Sequence, residues 1–200
     1  MTLAERLRAA LQADPSHEIE LLIGDTRDAD MADGETLMRA AVLVPITDRP
    51  RPGVILTERS ADLSRHAGQI AFPGGRIDPG DADATAAALR EAEEELGIPA
   101  SIVQVAGVAD GYRTITGFDV TPVLGVIPPD LALAPNAGEV ADWFEMPLDH
   151  LLDPANHSEA SVEWLGRERH YYEIFWQDRR IWGATAAIVV NLARRLAWTR

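Results

Sequence analysis

Nine consecutive residues, Leu89 to Gly97 (LREAEEELG), hold four glutamates and one arginine. At about 100° per residue, with Glu91 at zero, Glu94 falls at about 300° and Glu95 at about 40°. These three carboxylates share one helix face. Glu93 falls at about 200°, away from them. Arg90 sits four residues before Glu94, a spacing that permits an ion pair. Crowded carboxylates repel one another, and hard divalent cations such as Mg²⁺ offset that repulsion with oxygen coordination. A solvated acidic face and a metal-binding face both remain open from this helix alone.

The upstream segment Phe72–Pro73–Gly74–Gly75–Arg76–Ile77–Asp78–Pro79–Gly80–Asp81 adds a glycine pair and two further acids. Adjacent glycines let backbone approach a ligand closely. Turns also use glycine constantly, so the combination with the acidic helix is what carries weight.

With these spacings the chain resembles the Nudix hydrolase family. Gly75 matches the opening glycine of its signature; Arg90, Glu91, Ala92, Glu94, Glu95, Gly97 and Ile98 match the second half. Asp81 stands where the family has a glutamate, with eight residues rather than seven before Arg90. A second block is similar to the coenzyme A pyrophosphatase branch: Leu56–Thr57–Glu58–Arg59–Ser60, Leu63, then His66–Ala67–Gly68–Gln69–Ile70–Ala71–Phe72–Pro73–Gly74–Gly75. Asp78 and Asp81 also look like that branch. So do Ala40 to Pro45, Asn136 to Val140 and Ile181 to Ala186.

The resemblance implies an α/β Nudix fold, a mixed β-sheet sandwiched between helices. It implies Glu91 and Glu95 as principal Mg²⁺ or Mn²⁺ ligands, with Glu94 a third ligand or held by Arg90. Glu139 is the candidate further ligand or general base. Arg59, Arg65 and His66 are candidates for the substrate phosphates, including the 3′-phosphate of coenzyme A, with Arg59 first among them. Gly74 and Gly75 would bring backbone close to the substrate. The implied reaction splits coenzyme A into 3′,5′-ADP and 4′-phosphopantetheine. Rival readings are a Nudix hydrolase of NADH, ADP-ribose or another nucleotide derivative, a non-catalytic nucleotide-binding domain, and a structural domain.

The elements that must hold these residues are legible as well. Thr2 to Ala13 reads as an amphipathic helix, Asp14 to about Thr36 as an unpatterned arm. Arg39 to Ile46 and Val54 to Arg59 read as a strand hairpin about the turn Asp48 to Gly53. Ala82 or Asp83 to Leu96 reads as a helix stopped by Gly97. Val103 to Val108, Phe118 to Ile127, Ala141 to Phe144 and Tyr171 to Trp176 read as strands. Gln177 to Arg180 reads as a turn and Gly183 to Trp198 as a closing helix. The five tryptophans, at 143, 164, 176, 182 and 198, read as core or interface. Residues 1–35 are expected as a helix and arm, 36–200 as one Nudix domain.

Two hundred residues suffice for one such core. No apolar run is long enough for a membrane span, and the N-terminus has no apolar signal core, so a cytoplasmic enzyme is expected. The absence of cysteine excludes disulfides, a thiolate nucleophile and thiolate zinc sites. A net charge of −14 disfavours nucleic acid as partner. The expected partner is a small nucleotide, with a homodimer as an open alternative to the monomer.

Overall fold

The computed structural model describes residues 1–13, 37–61, 67–164 and 167–196. Arg65, His66, Trp198 and the expected arm lie outside these. In chain order the elements are α1 (Leu3–Gln12), β1 (Met38–Thr47), β2 (Gly53–Arg59), β3 (Ile70–Ala71), β4 (Gly74–Arg76), α2 (Ala84–Leu96), β5 (Gln104–Val108) and β6 (Tyr112–Arg113). There follow β7 (Phe118–Ile127), β8 (Val140–Pro147), α3 (Leu148–Leu152), β9 (Ser158–Trp164), β10 (Arg167–Trp176), β11 (Arg179–Trp182) and α4 (Ala184–Leu196).

The main sheet has eight strands along the order β3-β2-β1-β7-β5, with β4 beside β1, β6 beside β7 and β8 beside β2. The β1–β7 pair is parallel over ten registered residues; the other pairs are antiparallel, so the sheet is mixed. Strand side chains alternate between faces. Ala41, Leu43, Ile55, Val123 and Ile127 face α2 and pack on Ala87, Ala88, Ala92 and Leu96. Ala40, Val44, Ile46, Leu56, Val120 and Leu124 face the other way, onto α1 and α4. The mixed sheet thus carries helices on both faces, the layering the resemblance implies.

Local chemistry sets the helix ends. Thr2 and Glu5 form a reciprocal capping box on α1. Asp83 accepts from the Ala86 amide at the start of α2, and Gly97 closes that helix at φ 67°, in the left-handed region. The alanines of α2 put little bulk between helix axis and sheet. The helix therefore lies close enough for its glutamates to meet the β4 backbone.

One expectation is corrected. Arg179 and Arg180, expected in the turn Gln177 to Arg180, instead open β11, which pairs with β10; the turn is confined to Gln177 and Asp178. A further strand, β9, pairs with β10 to complete a second, three-stranded sheet. Trp182, read as core or interface, is 40% exposed.

Candidate active site

β4 and α2 build the site together. β4 pairs with β1 through Ala41↔Gly75 and Val42↔Gly74. A Cβ on Gly74 would lie 2.4 Å from the Ala41 carbonyl oxygen, so the sheet itself demands glycine there. A Cβ on Gly75 would lie 2.5–2.6 Å from the Glu91 carboxylate. The second glycine thus reserves space for a glutamate head group. Gly75→Ala is expected to fold normally, because the displaced carboxylate ends a flexible side chain, yet to lose about tenfold or more in turnover. Gly74→Ala should instead lose stability. Matching melting curves and matching losses for both variants would refute this division.

The three glutamates occupy three environments. The Glu95 side chain is 4% exposed, Glu91 15% and Glu94 54%. Glu95 Oε2 accepts from the Gly74 amide at 3.2 Å, and its Oε1 lies 3.8 Å from an Arg59 nitrogen. Burial pushes the Glu95 carboxyl up to about 7, against the opposing pull of the Gly74 amide and Arg59; the charges of Glu91 and Glu139 push it further up. Glu91 is raised too, chiefly by burial, with Arg90 opposing.

Arg90 is the hub of the helix. Its Nε and Nη2 donate to the two oxygens of half-buried Asp81, at 3.0 and 2.9 Å. Its Nη1 donates to Glu91 at 2.9 Å and to Glu94 at 3.0 Å; Nη2 also donates to the Arg76 carbonyl at 3.1 Å. The arginine holds Asp81 below the usual carboxylate range. Asp81 thus anchors the arginine that orders the glutamates, a partnership spacing did not announce. Glu94 points outward on that same arginine, apart from Glu91 and Glu95.

Glu139 arrives from the segment that covers the α2 C-terminus. The Ala134 and Asn136 amides donate to the Leu96 and Glu95 carbonyls, both at 2.9 Å. Asn136 Nδ2 donates to Glu139 Oε1 at 3.2 Å, and the Ser60 amide to the Glu139 carbonyl at 2.8 Å.

Among the described residues, no three His, Asp or Glu side chains converge into a ready-made metal cage. The donors nonetheless fit a hard divalent cation. Two under-neutralised carboxylates lie behind a glycine cradle, and Mg²⁺ completes its shell with waters and substrate phosphates. Past the two glycines, on the sheet face opposite α2, opens a recess of about 440 Å³, lined in part by Arg59, Gln69, Gly74, Gly75 and Arg76.

A helix of paired acids behind a double-glycine strand, on a mixed sheet between helices, defines a class of hydrolase. The family model described as the NUDIX domain matches residues 37–170. The uncharacterized Nudix hydrolase NudL of Citrobacter koseri is 47% identical over 173 residues, 82% of this chain and 86% of its own length. Its namesake in Escherichia coli K12 is 46% identical over 158 residues, 79% of this chain and 82% of its own. A solved Nudix hydrolase from M. smegmatis, RenU, aligns with TM-score 0.49 and 26% identity over 59% of this chain and 81% of that one. The chain belongs to the Nudix family. It is a Nudix pyrophosphohydrolase of nucleoside diphosphate derivatives, and such hydrolases generally use divalent metal ions.

Proposed function

We propose that this hydrolase cleaves the diphosphate of coenzyme A, yielding 3′,5′-ADP and 4′-phosphopantetheine. One observation carries the reading. The block from Leu56 to Gly75 that is similar to the coenzyme A branch supplies Arg59, Gln69, Gly74 and Gly75 to the recess, and two of these also touch Glu95. Specificity and chemistry then share a wall.

Glu91 and Glu95 would hold the cation, with Arg90 fixing Glu91 and keeping Glu94 outside the pair. Bound Mg²⁺ or Mn²⁺ would neutralise the diphosphate and acidify water. Arg59, beside Glu95, would orient the diphosphate with its guanidinium fork. Glu139 would take the proton of the attacking water. The water oxygen bonds to one phosphorus in line as the bond to the bridging oxygen breaks, and that oxygen leaves on the other phosphate.

Incubation with Mg²⁺ or Mn²⁺ and a panel of coenzyme A, NADH and ADP-ribose tests this, with products identified by mass. A kcat/KM for coenzyme A about tenfold or more above that for NADH is expected, since the recess must tell one diphosphate ester from another. A higher value for NADH would overturn the substrate and leave the hydrolase intact.

A further inference from the structure

We propose that the recess receives the 3′-phosphoadenosine half of the substrate, with the base between Trp182 and Ile115 and the phosphate monoester on Arg76. This rests on the coenzyme A reading above.

The recess lies on the sheet face opposite α2. Gly75 faces Glu91, so its neighbour Arg76 faces the other way, with Ala40, Val42, Phe118 and Val120. Its volume, about 440 Å³, falls within the roughly 300–1,000 Å³ of small-molecule sites.

Two apolar groups stand out of place around it. Ile115, 37% exposed, sits in the β6–β7 turn, where polar residues are usual. The turn holds it there: the Thr114 amide donates to the Phe118 carbonyl at 2.8 Å, the Phe118 amide donates to Thr114 Oγ1 at 3.0 Å, and Gly117 adopts φ 85°. Trp182 belongs to the Ile181–Ala186 motif, which the hydrolytic site does not use. Tyr171 meets its ring edge-on at 5.9 Å and Arg180 lies over it at 5.4 Å. The indole is thus held in place before a ligand arrives, which lowers the entropy cost of stacking on it.

Arg76 supplies the charge. Arg49, Arg90, Arg179, Arg180 and Arg195 each hold a carboxylate. Among the described residues Arg76 makes no ion pair; its guanidinium lies 5.8 Å from the Phe118 ring centroid. Arg59, the other arginine of the recess, stands against Glu95 at the reacting end. Two cations at separate places match the two anionic groups of coenzyme A. They divide the roles that sequence alone concentrated on Arg59.

Calorimetric titration in EDTA reads this without turnover. The wild-type protein, Arg76→Ala and Trp182→Leu are each titrated with 3′,5′-ADP, 5′-AMP and 4′-phosphopantetheine. The wild type should bind 3′,5′-ADP more tightly than 5′-AMP. Arg76→Ala should weaken 3′,5′-ADP about tenfold or more and 5′-AMP by less than about twofold. Trp182→Leu should weaken both nucleotides about tenfold. Should that variant misfold by circular dichroism, Ile115→Ala gives the same readout. Equal losses for both nucleotides in Arg76→Ala, or no loss, overturn the assignment. So does a loss confined to 4′-phosphopantetheine, which would seat the other half there. Should coenzyme A resist hydrolysis while the Arg76 discrimination persists, only the substrate reading fails. Should coenzyme A be hydrolysed without that discrimination, only the recess assignment fails.

Discussion

Replacing Glu91 or Glu95 with glutamine should lower turnover about 100-fold or more at saturating Mg²⁺, with the fold intact, because each variant removes one of the proposed ionic oxygen donors. Glu93→Gln, on an exposed position of the same helix, should be silent. Near-normal rates in both variants would remove the metal role from this helix. Glu95 adds a second signature. Its carboxyl rises from an ordinary 4.5 to about 7 on folding. A group raised in this way favours folding when protonated. Without divalent cation, wild-type stability should therefore fall as pH climbs from 4.5 to about 7 and then level, by about 3 kcal/mol in all. Glu95→Gln should lack that fall. Urea titrations in EDTA at pH 5 and pH 8 check it; parallel behaviour of the two proteins would show that the carboxyl is not strained by burial.

Arg90→Ala should be the most destabilising single change at the site. Removing it leaves half-buried Asp81 without its fork and Glu91 without the cation that pairs with it. Carboxylates left without their partner repel one another, so a lowered melting temperature is the expected readout. Turnover should fall about 10- to 100-fold as well, since Glu91 loses the contact that orients it. Adding Asp81→Asn should recover part of the stability and little of the activity. An unchanged melting temperature would mean that the arginine network is a surface feature.

Periodicity and spacing suffice for much of this protein. The α2 face, its glycine stop, the Arg90–Glu94 pair and the β1–β2 hairpin follow from residue order alone, because each depends on neighbours within a few positions. Other features depend on contacts across the fold. The helical wheel groups Glu91, Glu94 and Glu95, and the fold then separates them: Glu95 is buried against the Gly74 amide while Glu94 is exposed. β4 has three residues, two of them glycine, too short for an alternation to register. Every described β9 side chain is exposed or half-exposed, so no hydrophobic alternation announces the strand. The Asp81–Arg90 fork closes a nine-residue loop, and no rule of spacing demands it. The recess draws on β1, β4, β7, a turn and the start of α4, segments that only the folded sheet assembles.

The sheet between those segments and α2 is a single layer. The Glu91 and Glu95 carboxylates lie against one side, while the β6–β7 turn and the start of α4 border the other. Gly74 and Gly75 are where the two sides communicate, since neither has a side chain to separate them. A lineage could therefore exchange residues at 114–116 or 182–185 and acquire a new preference without disturbing the bonds that order the glutamates. Drift in selectivity and loss of chemistry become separate mutational events. Only the two glycines belong to both.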